Sequence, residues 1–499
     1  AMAPVGSAAA SAGRCAQCGA SNALAVCSGC RNVRYCGPEC QRRAWKGGHK
    51  QECAGNAAQA QQQPSAQAKR APEEEVPLRC PPSLLRGKLP RLESLDSSAA
   101  QELLCEGQAF VAPMEGMLGT RLLKWDFQYL HKHLPGGTKY GVMLDEGSGK
   151  IVMSHSARNG ERQVDMTRST SQDDRIPRNS DAGLFNTSDQ TRMTFSEFLE
   201  AVERYKVSGG RGKLPYFGLH LLWRFKEQDN GFLGEIDEAM AEDLWSVNFG
   251  LIKEWQDMNV LPLVQRFYLF AGVSRTLYHC HYDLQPNLHV QLTGRKRFIL
   301  FPPEDWPHLY PFPVHHDLDR RSMVDLDSPN TDDHPNWKGA HGHVVELGPG
   351  DALYIPPFWW HHVQSVTPET TSMAMWFFEH YPLSRNLKYG IGSRADGIEL
   401  MRDVEEMIGN CFPSAPGEED CTKARPVKAS HVRNYMRWLK PRLGLRADPV
   451  DQELLGQLTK PPEEVEELAI RVIIEANGGS GMTEGRAREQ LKAFLDGRF

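Results

Sequence analysis

Two short polar segments set in apolar, β-type sequence constrain this chain most: His281-Tyr282-Asp283 and Trp359-Trp360-His361-His362. Side chains alternate faces along a strand, so His281 and Asp283 are expected on one face and Tyr282 on the other. Leu277 to Phe301 reads as a strand, a Thr293-Gly294 turn and a second strand, Lys296 to Phe301. Gly348-Pro349-Gly350-Asp351 is a turn signal before Ala352-Leu353-Tyr354-Ile355, which leads into the second segment. A strand pair, a long insertion and a returning strand that carries a histidine predict a double-stranded β-helix. The fold class expected is mainly β with flanking helices.

The residue types point to a metal. Two histidines and one carboxylate make a facial ligand set for iron(II), leaving the opposite face open for a co-substrate and O₂. Parity leaves two points open. His279 shares a face with His281 in a regular strand and offers a carboxylate-free alternative to Asp283. In the second segment His361 goes with Trp359 and Val363, and His362 with Trp360 and Gln364. Lys296 shares its face with Phe298 and Leu300, an otherwise apolar set. A buried cation needs an anionic partner, and a carboxylate co-substrate such as 2-oxoglutarate would supply it.

The stretch from His281 to His362, with "HYDLQPN", "GRKRFILFPP", "LYPFPVHH" and "GPGDALYIPPFWWHH", resembles the JmjC oxygenases of the factor-inhibiting-HIF (asparaginyl hydroxylase) type. The similarity reaches upstream through "LPRL", "LKWDFQYL" and "MTFSEFLEAV" and downstream to "IELMRDVEEMIG", covering residues 85–412. The resemblance implies a jelly-roll (cupin) fold, iron held by His281, Asp283 and His361, and 2-oxoglutarate bound through Lys296 with Asn287 nearby. It implies a substrate side formed by Arg320, Arg321 and Phe378. The chain departs from the pattern at several of these places. Arg321 replaces a glutamine that contacts the substrate amide, which would favour an acidic or carbonyl-bearing group. Trp376 replaces an asparagine near the cofactor, Phe378 a tryptophan beside the substrate, and Tyr278 a threonine that helps hold the far carboxylate of 2-oxoglutarate.

Seven of the 12 cysteines fall within the first 53 residues: Cys15, Cys18, Cys27, Cys30, Cys36, Cys40 and Cys53, with His49 among them. Eight N/S ligands suffice for two closed tetrahedral zinc sites. The order, and the "HKQEC" detail, resemble a MYND finger. In that family the pairs interleave, which implies one zinc on Cys15, Cys18, Cys36 and Cys40 and another on Cys27, Cys30, His49 and Cys53. The resemblance also implies docking of proline-containing peptide motifs. Trp45 stands four residues before His49, one more than the family spacing. No apolar leader precedes the cysteines, and Cys80, Cys105, Cys280, Cys411 and Cys421 stand apart, so a reducing cytoplasmic or nuclear compartment is expected.

Composition divides the remainder. Residues 1–14 are Ala/Ser/Gly-rich and expected to be disordered; 15–53 form the finger; 54–84 read as a flexible linker; 85–382 form the catalytic domain. The polar stretch Arg162 to Arg192 reads as a mobile insertion. Residues 383–415 carry the stripe Ile398, Met401, Val404, Ile408, which resembles a dimerisation helix; residues 416–499 read as a helical extension. No apolar run is long enough to span a membrane. A net charge of −6 argues against a general nucleic-acid binder, although Lys428 to Arg446 carries six basic residues and no acid. The expected activity is iron(II)- and 2-oxoglutarate-dependent hydroxylation of a protein substrate. An N-methyl-lysine demethylase, or a scaffold that only binds partners, are the alternatives.

Overall fold

The computed structural model describes residues 15–18, 25–26, 34–36, 38–50, 76–114, 117, 121–145, 149–151, 189–222, 236–248, 250–257, 263–312, 314, 318–332, 334–378, 393–412, 435, 438–439, 442–443, 452–477 and 481–495. The chain divides into two units, residues 1–74 and 75–499.

In the first unit β1 (Ala25–Val26) pairs antiparallel with β2 (Arg34–Tyr35). A helix, Pro38–Ala44, and a π-type turn, Trp45–His49, follow. A π-turn encloses one more residue than an α-turn, which accommodates the long Trp45–His49 spacing. Gly48 sits at φ 124°, a conformation that glycine adopts without steric cost.

The second unit is built on two facing sheets. The smaller runs, in spatial order, β3 (Leu85–Gly87), β13 (Gly342–Leu347), β12 (Lys296–Phe301), β15 (Trp360–Ser365), β10 (Leu277–Tyr282) and β6 (Lys150–Ile151). The larger runs β4 (Phe110–Pro113), β14 (Asp351–Ile355), β11 (Asn287–Thr293), β16 (Glu369–Phe378), β9 (Leu263–Val273), β8 (Leu214–Leu222), β5 (Tyr140–Asp145) and β7 (Asp189–Met193). From β9 to β12, and again from β13 to β16, consecutive strands alternate between the sheets, as the double-stranded β-helix expectation requires. Leu277 to Phe301 holds three strands rather than two, because the chain leaves the smaller sheet after Tyr282 and joins the larger at Asn287. The turn from β11 back to β12 needs glycine. Gly294 has φ 67°, and a Cβ there would meet the Glu369 carbonyl oxygen at 2.1 Å.

Strand alternation sorts the core. Phe298 and Leu300 of β12, Leu353 and Ile355 of β14, and Val111, Leu347 and Trp359 form one apolar cluster between the sheets. On the outer face of the larger sheet Phe217, Leu269, Leu288, Val290 and Met373 pack with helical Phe127, Leu130, Phe195 and Phe198. Helix Phe195–Val207 starts at a capping box in which Thr194 and Glu197 satisfy each other's backbone N–H groups. Two further helices, Glu238–Trp245 and Gly250–Asp257, lie before β9.

Several expectations need correcting. The linker ends before residue 84: Arg79 pairs with Asp327 at 2.5 Å and Leu84 is fully buried, so residues 76–84 belong to the β unit. The insertion is shorter than expected, because Asp189–Met193 forms β7 against β5; residues 152–188 lie outside the described residues, as do 1–14. The proposed dimerisation stripe is covered by the chain itself. Met401, Val404 and Ile408, on helix Ser393–Gly409, pack with Val465, Ala469 and Ile473 of helix Pro462–Ala476 and with Leu491 of helix Glu484–Leu495. Ile398 turns instead to the outer face of the smaller sheet, beside Phe301 and Trp360. Burial of those side chains needs no second copy. The basic segment is likewise engaged where described: Tyr435 is buried and Arg442 lies 4.2 Å from the Trp438 ring, near Glu463 and Glu466.

Candidate metal centre and co-substrate pocket

His281, Asp283 and His361 bring one ligand atom each within 4.8 Å of one another. Strands β10 and β15 pair antiparallel with His281 opposite His361, and the two rings lie 4.0 Å apart, centroid to centroid. Asp283 follows the end of β10, where its carbonyl accepts a hydrogen bond from the Phe358 N–H at 2.8 Å. This contact ties the carboxylate-bearing turn to the segment that delivers His361.

Both imidazoles are held in one tautomer. Nδ1–H of His281 donates to the His279 carbonyl at 2.7 Å, and Nδ1–H of His361 donates to the Trp359 carbonyl at 3.1 Å. A carbonyl only accepts, so Nε2 of each ring carries the lone pair, the arrangement common in metal-binding histidines. Burial, then the neighbouring His361, holds His281 well below the usual histidine range. Burial lowers His361 as well, against the opposing pull of Asp283. Neutral rings beside a carboxylate are the form a cation takes up.

A bulge decides what parity left open. The β10–β15 register slips between Tyr278 and His281, so His279 and His281 lie on opposite faces despite their spacing of two. His279 Nε2 donates to the Ser322 carbonyl at 2.8 Å, and His362 Nε2 donates to the Arg79 carbonyl at 3.0 Å. These two histidines approach each other on the outer face, 6.4 Å between rings, and stitch loops to the sheet.

Two residues that the sequence reading placed differently complete the carboxylate's surroundings. Trp376, noted only as a departure from the family, donates Nε1–H to Asp283 Oδ2 at 2.9 Å. Arg320 Nη1 stands 3.8 Å from Asp283 Oδ1, and Arg320 adopts φ 65° in the segment that runs beside β10. Arg321 is buried, with its guanidinium 5.4 Å from the Tyr278 ring and engaged by it. Arg320 is therefore the more accessible of the two arginines, although Arg321 was expected to read the substrate. The Phe378 side chain lies outside the described residues.

Lys296 occupies the interior as its strand face predicted. It is 1% exposed. Nζ donates to Ser372 Oγ at 2.7 Å and to the Tyr216 hydroxyl at 3.2 Å, and it lies 5.5 Å and 5.6 Å from the Tyr216 and Phe270 rings. Burial pushes its pKa from 10.5 down to about 7. The hydroxyls on the ammonium are those of Tyr216 and Ser372, and the Tyr278 ring lies 6.1 Å from that of Tyr216 and 4.9 Å from that of His281. Tyr216 and Ser372 carried no signal in the sequence, since a lone Tyr and Ser in strands read as ordinary β residues. Asn287 is buried on the same interior face, and its Oδ1 has no hydrogen-bond partner. Among the described residues the confined ammonium is served by hydroxyls alone, which fits an anionic co-substrate lying between Lys296 and the His/Asp cluster; the Asn287 oxygen, an acceptor, would need a donor instead.

In the finger Cys15, Cys18, Cys36 and Cys40 bring their sulfurs within 4.8 Å of one another. The Cys18–Cys36 and Cys36–Cys40 sulfurs are 3.5 Å and 3.4 Å apart, far beyond the about 2.05 Å of a disulfide. Four free thiols in one cluster are the donor set of a structural zinc site. His49 is buried against the Tyr35 and Trp45 rings. Its expected co-ligands Cys27, Cys30 and Cys53 lie outside the described residues.

Two sheets closed around a His/Asp/His cluster make a cupin-like jelly roll, and the four-thiol cluster is the donor set of a zinc finger. Residues 145–382 match the cupin-like domain family and residues 15–53 match the MYND finger. Among relatives, HSPB1-associated protein 1 of Homo sapiens is 40% identical over 99 residues, 19% of this chain and 20% of that protein. The tRNA wybutosine-synthesizing protein 5 of Danio rerio is 30% identical over 160 residues, 32% of this chain and 47% of that protein. Lysine-specific demethylase JMJ31 of Arabidopsis thaliana is 35% identical over 103 residues, 20% of this chain and 19% of that protein. The matched stretches therefore span half or less of each relative's length. Among the described residues no helix is long and apolar enough to cross a membrane.

Proposed function

We propose that this protein is an iron(II)- and 2-oxoglutarate-dependent protein hydroxylase, acting on an asparaginyl or related polar side chain, whose MYND finger recruits partners. The observation that carries the reading is the pairing of the His281/Asp283/His361 cluster with Lys296, a buried ammonium bonded to the hydroxyls of Tyr216 and Ser372. When bound, iron and 2-oxoglutarate supply the O₂ activation that places oxygen on an unactivated C–H bond.

The chain's own residues do the positioning. His281 and His361 offer Nε2 and Asp283 a carboxylate oxygen as the three iron ligands. Trp376 fixes the carboxylate's orientation, and such outer partners typically tune metal affinity by about 10–100-fold. Lys296 anchors the far carboxylate of 2-oxoglutarate by a charge-assisted bond, with Asn287 serving the same molecule. Arg320, beside Asp283, faces the substrate and favours a carbonyl-bearing or acidic group. Zinc on the two finger sites holds a small module that would dock proline-containing segments.

The test is succinate formation by the full-length protein, reconstituted with iron(II), on a peptide panel that includes asparagine- and aspartate-containing sequences, read by mass spectrometry for a gain of one oxygen. Methyl-lysine peptides and tRNA belong in the same panel, because relatives carry names of those activities. Formaldehyde release from methyl-lysine alone, or turnover of tRNA alone, would overturn the assignment to protein hydroxylation.

A further inference from the structure

His289 is a buried histidine that neither the metal cluster nor the lysine anchor uses. It lies two residues after Asn287 on β11 and is 6% exposed, and its Nε2 has no hydrogen-bond partner. Its position follows from the register. On β16 the interior residues are Ser372, Ala374 and Trp376, because Met373 and Met375 face the outer helical core. Ser372 holds the Lys296 ammonium, Trp376 holds Asp283, and Ala374 between them is the cross-strand partner of His289. Alanine has no atoms beyond Cβ, so the imidazole meets no bulk across the strand pair. From the opposite sheet Phe298 closes on it edge-to-face, 4.8 Å between ring centroids. Two residues along a strand advance about 7 Å, so His289 stands midway between the lysine anchor and the carboxylate of the metal cluster.

We infer that His289 is a specificity residue of this pocket, donating Nε2–H to the body or a carboxylate oxygen of the keto diacid held between Lys296 and the His281/Asp283/His361 cluster. The inference rests on the proposed function and adds to it a polar contact at the middle of the co-substrate. A buried imidazole nitrogen without a partner is costly unless something bound supplies one. Burial, then the Lys296 ammonium, then His361 disfavour the imidazolium, which leaves a neutral ring able to donate from one nitrogen.

The measurement is equilibrium binding of 2-oxoglutarate to the full-length protein loaded with manganese(II), by calorimetry, so that no turnover is needed. His289→Phe keeps the ring and its packing on Phe298 but removes both nitrogens. It is expected to raise the Kd for 2-oxoglutarate about tenfold or more while manganese affinity and melting temperature stay near those of the parent. His289→Gln, which restores a donor, is expected to recover part of the loss and serves as the readout if the phenylalanine variant folds poorly. Parent-like 2-oxoglutarate binding by His289→Phe, with Lys296→Met impaired, would overturn the role of His289 and leave the proposed function standing. Parent-like binding by Lys296→Met as well would overturn both.

Discussion

Replacing Lys296 with methionine should stabilise the ligand-free protein near pH 7 and remove most of its response to 2-oxoglutarate. The ammonium is 1% exposed and bonded to the hydroxyls of Tyr216 and Ser372. Burial lowers its pKa from 10.5 to about 7. Between those two values the unfolded chain holds a proton that the folded chain has released, so stability rises with pH across that window. The penalty is at its full size below about pH 7 and gone above about 10.5. A depression of this size corresponds to a few kcal/mol. Methionine fills nearly the same length without charge, but it leaves two hydroxyls to find other partners, at about 1–3 kcal/mol. The net gain expected at pH 7 is about 1–2 kcal/mol, a few degrees in melting temperature; towards pH 10 the ammonium penalty fades while the hydroxyl cost remains, so the variant should become the less stable of the two. The ligand response runs the other way. At a hundred times its Kd, 2-oxoglutarate stabilises the parent by about 2.7 kcal/mol. Loss of a charge-assisted contact worth about 1.5–3 kcal/mol would cut this to about 0.3–1.4 kcal/mol at the same concentration. Thermal and urea denaturation at pH 7 and pH 10, with manganese(II) and with or without 2-oxoglutarate, read both halves. A variant that is less stable at pH 7 and still responds fully to 2-oxoglutarate would refute the reasoning.

Three further outcomes follow from the geometry. His361→Ala should lose bound iron, whereas His362→Ala, which breaks only the bond to the Arg79 carbonyl, should keep it at about 1–3 kcal/mol of stability; metal analysis showing the reverse would exchange their roles. Val404→Arg places an unpaired guanidinium among the chain's own helices and should cost about 3–5 kcal/mol in denaturation without altering the sedimenting mass; well-folded protein at half the parent's mass would instead restore the dimer interface. Elemental analysis should find two zinc ions per chain, and Cys36→Ser should unfold the finger, which has little core beyond its metals, while leaving the iron stoichiometry intact; thiols resistant to alkylation without reductant would point to disulfides.

Residue type and spacing alone determined much of this protein. Alternation along Lys296 to Phe301 placed the lysine inside, the Gly348–Asp351 turn preceded β14, and the cysteine spacing marked a two-site zinc module, within which the MYND resemblance implied Cys15, Cys18, Cys36 and Cys40 as one set. These are local patterns, written in neighbouring residues with a period of two or a fixed ligand spacing. The helical character of residues 416–499 was legible for the same reason, and helices Pro462–Ala476 and Glu484–Leu495 lie within it. Only the tertiary structure decided the rest. The bulge after Tyr278 put His279 outside and His281 inside, against strict alternation, because a single extra residue inverts every face beyond it. Register between strands far apart in the chain chose His361 over His362 and set Trp376 on Asp283, Ser372 on Lys296 and Ala374 across from His289. The stripe around Val404 shows the limit most plainly. An apolar helix face must be buried, but the pattern does not say against what, and here the covering helices lie about sixty to ninety residues further along the same chain.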